Sequence, residues 1–126
     1  MRPDAMAYVA AAARAALGTS NCWPIVARDP NRLPAVIYYA VGGETLTTLG
    51  EGVHEVATAV RFEVRTKVPG VGDSLETTGY GAAVRLSAAI VRGLRSGGRL
   101  LALHSVIDEL DESVGIYRRI RTATVR

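Results

Sequence analysis

The sequence predicts an α+β domain in which two helices pack on one face of a mostly antiparallel sheet. Three observations carry this: a long run of period two, two runs with the period of a helix, and glycine-rich breaks between them. The run of period two, residues 54 to 67, is the clearest. Val56, Thr58, Val60, Phe62 and Val64 fall on one side, while Glu55, Arg61, Glu63, Arg65 and Lys67 fall on the other, with Ala57 and Ala59 between them. Successive strand residues point to opposite faces, so this is a strand with one buried and one wet face, in a sheet covered on one side. The strand is longer than a small core needs, which suggests a sheet that also meets another subunit.

The elements follow in order. Residues 3 to 17 form a helix: Pro3 suits its first turn, Asp4 lies where the dipole favours an anion, and Gly18 stops it. Met6, Val9, Ala10, Ala13 and Leu17 are its buried stripe. After a polar turn over 18 to 23, residues 24 to 28 make a short edge strand, where a leading proline is tolerated. Asp29-Pro30-Asn31 turns the chain into a β-branched and aromatic strand over 33 to 41, with Ile37, Tyr39 and Val41 alternating against Val36, Tyr38 and Ala40. Gly42-Gly43 and Gly50-Glu51-Gly52 precede the long strand, and Pro69-Gly70-Val71-Gly72 follows it. The period then changes to three and four. Tyr80, Ala83, Val84, Ser87, Ile90, Val91 and Leu94 form one face of a second helix, with Arg85, Arg92 and Arg95 opposite. Asp73 or Ser74 caps its start, Glu76 lies in its first turn, and Gly97-Gly98 ends it. Strands over 100 to 107 and 114 to 125 flank an acidic turn, Asp108 to Glu112. Arg118 sits in phase with Val114, Ile116 and Ile120, and a bulge near Tyr117 would repair the alternation. The expected order is helix, three strands, helix, two strands.

Its 126 residues suit a single domain over 1 to 126, with no repeat, low-complexity tract or linker. The lone Cys22 implies no disulfide framework and a reducing compartment. Residues 1 to 18 are apolar but alanine-rich and interrupted by Asp4 and Arg14, unlike a secretory signal or a spanning helix, so no membrane contact is expected. The net charge is +3 and the pI about 9.4, with Lys67 the only lysine. Arginine's planar fork suits contacts with carboxylates and phosphates, although a GC-rich genome also enriches Arg and Ala. Composition leaves protein and nucleic-acid partners both open.

Residues with chemistry give little. Gly70-Val71-Gly72 lies between strand and helix as a phosphate loop would, yet Leu75 occupies the third glycine's place and no Gly-Lys-Ser/Thr or ribose-binding carboxylate follows. A subunit-contact loop fits it better, with Val71 and Asp73 at its tip. The acidic segment lacks the Asp-x-Asp spacing and glycine of a calcium loop, and His54 and His104 have no ligand-spaced companions. No Gly-x-Ser-x-Gly elbow or cysteine signature frames a nucleophile, and nothing near Cys22 would activate its thiol. No cofactor, metal or catalytic residue is therefore expected. Arg118, Arg119, Arg121 and Arg126 form the strongest basic cluster. Base-stacking aromatics are scarce beside it, Tyr117 being the one candidate, which favours carboxylates across an interface or across the sheet over nucleic acid.

The element order and several strings resemble the tail-terminator, or tail-completion, proteins of long-tailed siphophage-type bacteriophages and related gene-transfer particles. The strings are Arg32-Leu33-Pro34-Ala35-Val36-Ile37-Tyr38, the strand from His54 to Arg65, the helix from Tyr80 to Leu94, and the closing Tyr117-Arg118-Arg119-Ile120-Arg121. The similarity spans nearly the whole chain and lies in the pattern of elements. It implies a structural virion protein and no enzyme: subunits close into a hexameric ring that caps the tail tube, stops its polymerisation and forms the head-joining surface. Its partners would be further copies of itself, the tail tube protein and a head-tail connector protein. DNA would pass through the lumen without sequence-specific binding. The protein would be made in the host cytoplasm and reside at the head-proximal end of the tail. The family transfers no individual contact residues, so the interface is sought in charged faces and loops: Arg61, Glu63, Arg65, Lys67, Val71, Asp73, Asp108, Glu109, Arg118, Arg119 and Arg121. An acidic patch at 108 to 112 and a basic one at 118 to 121 would supply the two different surfaces that a head-to-tail ring needs. Charge reversal at Arg61 or Arg119 should then weaken the ring more than the fold. The alternative is a small nucleic-acid-binding α+β domain using the C-terminal arginine strand.

Overall fold

The computed structural model describes residues 3–18, 21–27, 29, 32–41, 45–48, 54–104 and 106–126, with backbone alone at 3, 4, 45–48 and 54–56. The elements are α1 (Pro3–Leu17), β1 (Cys22–Pro24), β2 (Ala35–Ala40), β3 (Thr45–Thr48), β4 (His54–Lys67), α2 (Gly79–Ser96), β5 (Leu100–Leu103), β6 (Ile107–Asp111) and β7 (Ile116–Val125). The sheet runs β1-β2-β4-β7-β5, with β3 also paired to β4 and β6 to β7. Only β1 and β2 pair in parallel among the described strands. The fold is thus α+β with a mostly antiparallel sheet, as the periodicities predict.

Alternation along β4 settles where the core lies. Val60, Phe62 and Val64, joined by Val36 and Tyr38 of β2 and Ala123 and Val125 of β7, meet Val9 and Ala13 of α1 and Ala83, Ile90 and Leu94 of α2. Phe62 and Ile90 are fully buried, as expected, and Arg85, Arg92 and Arg95 are exposed. The two helices approach closely because small residues meet: a Cβ on Gly93 would stand 3.3 Å from the Ala12 Cβ. The Tyr8 hydroxyl donates to the Leu94 carbonyl, tying α1 to the last turn of α2. Gly18 takes φ +82° and its N–H closes α1 on the Arg14 carbonyl at 2.8 Å, a left-handed stop that glycine adopts without a steric cost.

Several boundaries differ from the expectation, each for a local reason. The edge strand is 22 to 24 and not 24 to 28, because Ile25 takes φ +69° and breaks the extended run. A further strand, β3, occupies residues 45 to 48. It pairs with His54 to Ala57, the part of β4 that β7 does not reach, since the β4–β7 ladder begins at Thr58. The extra length of β4 therefore extends a two-stranded arm past the ladder with β7. Helix α2 starts at Gly79 and not near Asp73. The Asp73 carboxylate is taken by the Gly70 N–H at 2.8 Å and by Lys67 at 2.9 Å, and so holds the loop together instead of capping the helix. Tyr80, in the first turn of α2, is 58% exposed and stacks edge-on against Tyr117 at 5.5 Å instead of joining the buried stripe.

The acidic segment, expected as a turn, is strand β6, paired residue for residue with Ile116 to Ile120. Its charges sit opposite arginines, which allows a strongly acidic stretch to remain in the ladder. The turn proper is 112 to 115, where Gly115 takes φ +66°. No bulge occurs at Tyr117: the β4–β7 register is continuous over ten residues, and the irregularity falls in β5 between Leu100 and Ala102. The loops at 42–43 and 50–52 and the side chains of His54, Glu55 and Val56 lie outside the described residues.

Candidate functional site

Register divides the expected interface residues among three places. On the sheet face away from the helices lie Arg61, Glu63, Arg65 and Lys67 of β4, flanked by Thr122, Ile120, Arg118 and Ile116 of β7. Glu109 extends the Arg65–Arg118 row onto β6. This face is less wet than the alternation implies. Glu63 is only 8% exposed, in a row between Ile37 and Ile120, which are themselves buried. Its carboxylate accepts from Arg65 Nε at 2.6 Å, so the carboxylate that burial would otherwise disfavour keeps a charged partner. Arg118 lies 3.9 Å from both Glu109 and Asp111. Arg61 Nε reaches the Thr122 hydroxyl at 3.4 Å.

Arg119 and Arg121 point the other way, to the helix side, because they stand opposite Val64 and Phe62. The apparent basic cluster is therefore split across the sheet and is not one patch. Arg119 Nη1 donates to both oxygens of Asp108, at 3.0 and 3.1 Å, and its guanidinium lies 5.9 Å from the centre of the Tyr80 ring. The Tyr117 hydroxyl is buried in this corner without a hydrogen bond of good geometry. Burial, reinforced by the Asp108 carboxylate, pushes its ionisation well above the usual tyrosine range. Arg121 is half-buried with its Nε shut off from solvent and unbonded. Burial first, and then the charges of Arg119 and Arg95, lower its ionisation from the ordinary arginine value. The acidic and basic segments expected as two separate surfaces thus neutralise each other largely as adjacent strands.

The third place is the loop after β4, where Val71 is fully exposed and Asp73 pairs with Lys67. The hydrogen bond from Lys67 and then that from the Gly70 N–H hold the Asp73 carboxyl below its ordinary range. Cys22 is buried, and that burial raises its thiol, which leaves it a packing residue. His104 is exposed, with Nε2 3.0 Å from the Thr124 hydroxyl. No group of three or more His, Cys, Asp or Glu side chains that could hold a metal occurs among the described residues.

Sequence reasoning missed the open edge. Strands β5 and β6 pair only with β7 among the described strands, leaving their outer backbone groups without a ladder. Leu101, Ile107 and Leu110 along them are 42%, 48% and 54% exposed. Beside them a shallow groove of about 570 Å³ is lined by Glu109, Leu110, Asp111, Glu112 and Arg118. At the opposite end of the strand order, Ile25 and Val26 follow β1 and are more exposed still, and Ile25 joins Met6, Tyr39 and Ala40 around a second hollow of about 440 Å³. The signal that would have found the edge is the apolar set Leu101, Ile107 and Leu110 on strands too acidic or too short to be central.

No protein-family model and no curated protein sequence matches this chain. Among solved structures it is similar to a chain from the virion of a native gene transfer agent (GTA) particle, with 15% identity over 90% of this chain and 82% of that one. The TM-score is 0.43, a likeness too distant to bear on function.

Proposed function

We propose that this chain is a virion structural subunit of the tail-terminator type, closing head-to-tail into a ring that caps a phage-type tail tube, stops its growth and presents the surface that joins the head. The open β5–β6 edge carries the reading. An exposed edge strand is a template for further pairing; short β5 and the charges of Asp108, Glu109 and Asp111 blunt this one in part, yet apolar Leu101, Ile107 and Leu110 remain exposed along it. A closed ring needs two different patches per subunit. The edge supplies one, and Ile25 and Val26 beyond β1, at the other end of the strand order, supply the second. The arm of β3 with the first part of β4 supports the same reading, since strand length past the β4–β7 ladder extends the reach of the sheet. Arg61, Arg65, Lys67, Val71 and Asp73 would contribute contacts from the far face and the loop, with the tube on one side of the ring and the connector on the other, while buried Glu63 would act only by holding Arg65.

Electron microscopy of the purified protein with and without tail tubes tests this directly: rings and capped tube ends are expected. Removing the gene should leave tails of uncontrolled length that cannot accept heads. Normal-length, head-joined tails in the deletion strain would sink the assignment. The nucleic-acid reading loses ground because Arg118 and Arg119 already face carboxylates within the sheet.

A further inference from the structure

We infer that Arg121, with Arg119 and Arg95 beside it, receives a carboxylate from a second copy of this chain, namely Glu112 at the tip of the β6–β7 hairpin. The inference rests on the ring reading above and adds the pair of groups that joins neighbouring copies.

The receiving side is a set of cations short of anions. Arg121 stands on the helix side of β7, at the point where the edge strand is interrupted between Leu103, opposite Ala123, and Ile107, opposite Ile120. Its Nε and that of Arg119 are both sealed from solvent with no hydrogen-bond partner. Asp108 is the carboxylate at hand, and both of its oxygens already accept from Arg119. Arg121 and Arg95 have no hydrogen bond or ion pair among the described residues. Arg95 is exposed and Arg119 has Asp108, so the half-buried Arg121 is the cation left without an anion, and an unpaired buried group of this kind calls for an explanation. The crowding is felt at Arg121, whose ionisation is lowered by Arg119 and Arg95 after burial itself.

The donating side is equally specific. Glu112 is exposed and without a partner among the described residues. The turn that carries it is held by Asp111, which accepts from the Ser113 N–H at 3.2 Å and from its hydroxyl at 2.6 Å. Exposed Val114 and Leu110 flank it with apolar surface. From the turn to Arg121 is roughly 17 Å along β7 at the usual strand rise, beyond a glutamate's own reach, so the contact runs between copies and is head-to-tail. Charge complementarity selects a second copy over nucleic acid. Arg121 is half-buried with its Nε shut off from solvent, and a recessed cation accepts one carboxylate at the end of a side chain, whereas a phosphate backbone needs cations spread along an open surface.

The test compares self-association of the full chain by sedimentation velocity and native mass spectrometry, alone and with tail tubes, for wild type, Arg121→Gln, Glu112→Gln, Arg121→Glu, Glu112→Arg and the double reversal. Each single change should weaken association by roughly tenfold or more, since an interface charge loses its partner, and the double reversal should recover most of it. Arg121→Gln removes the charge and keeps a polar, unbranched side chain, and its melting curve shows whether it folds. Association equal to wild type in Arg121→Gln and Glu112→Gln, or no recovery in the double reversal, overturns the pairing while leaving ring capping intact. A 20-base-pair duplex bound by wild type and lost in Arg121→Gln, with self-association unchanged, overturns it in favour of a phosphate site. Absence of wild-type self-association in both settings overturns it together with the ring.

Discussion

Replacing Arg119 should damage the fold before it damages any assembly. The Arg119 side chain is 15% exposed and that of Asp108 36%, and the two face each other in register across β7 and β6. The pair therefore lies between a surface ion pair, worth about 0–1 kcal/mol, and a buried one, where removing a partner costs about 3–5 kcal/mol. A coupling energy of about 1–2 kcal/mol is expected from urea unfolding of wild type, Arg119→Ala, Asp108→Ala and the double variant. For a chain of 126 residues each kcal/mol moves the melting midpoint by about 4 °C, so the effect is readable by heat as well. Both changes remove the cation over Tyr80, and Arg119→Glu should be worse than Arg119→Ala because it also sets a carboxylate directly opposite Asp108. The same cycle on Lys67 and Asp73, where the lysine is 56% exposed against 15% for Arg119, should show a weaker coupling, under about 0.5 kcal/mol. Coupling below about 0.3 kcal/mol between Arg119 and Asp108 would refute the reasoning, because it would make the pair an ordinary surface contact. Because Arg119 is paired with Asp108 within the chain, reversal there would disturb the fold as well as any ring. Arg61, held by one long hydrogen bond to Thr122, remains a fair probe of the interface.

Phe62→Ala and Ile90→Ala should each cost about 2–5 kcal/mol, against under about 0.5 kcal/mol for Arg92→Ala; equal losses in denaturant titrations would mean that the phase of α2 is wrong. Tyr117→Phe should be neutral or stabilising near pH 7, because it removes a buried hydroxyl that lacks a good partner. Since the fold raises the ionisation of Tyr117, stability from its neutral form is complete below the ordinary tyrosine value near 10 and is lost as pH rises beyond it. The phenylalanine variant should accordingly show a flatter alkaline limb; parallel stability curves up to pH 12 would count against the assignment. Any DNA affinity should fall steeply between about 50 and 200 mM salt, and sequence-selective binding that survives physiological salt would revive the nucleic-acid reading.

The parts of this fold that were legible in the sequence are those where one face is buried and the other is not. Thr58, Val60, Phe62 and Val64 advertise β4, and Ala83, Ser87, Ile90 and Leu94 advertise α2, because burial imposes the period directly. Strand β6 was hidden because its stability comes from a neighbour: Asp108 and Glu109 read as turn residues until Arg119 and Arg118 stand opposite them. Asp73 misled for the converse reason, since its carboxylate satisfies the loop at Gly70 and Lys67 and leaves none for the helix. The site was legible as a set of charged residues but not as a geometry. Adjacent Arg118 and Arg119 must leave a strand in opposite directions, but only strand pairing reveals that Arg119 takes the helix side, and that Glu63 is enclosed between isoleucines.

The position of β7 bears on the order in which this protein can come into being. It follows every other strand in the sequence, yet it lies in the middle of the sheet, between β4 and the β5–β6 edge. While the chain is being synthesised, β4 waits roughly 3–12 seconds for its partner, with one ladder of backbone groups open along ten residues. Strand β6 waits too, having no described partner except β7. The edge proposed to recruit a neighbouring copy is consequently absent until residues 116 to 125 have been made, and it comes into existence in the same event that closes the sheet. On the ring reading proposed above, topology would place folding before assembly, since the recruiting edge exists only after β7 has joined the sheet.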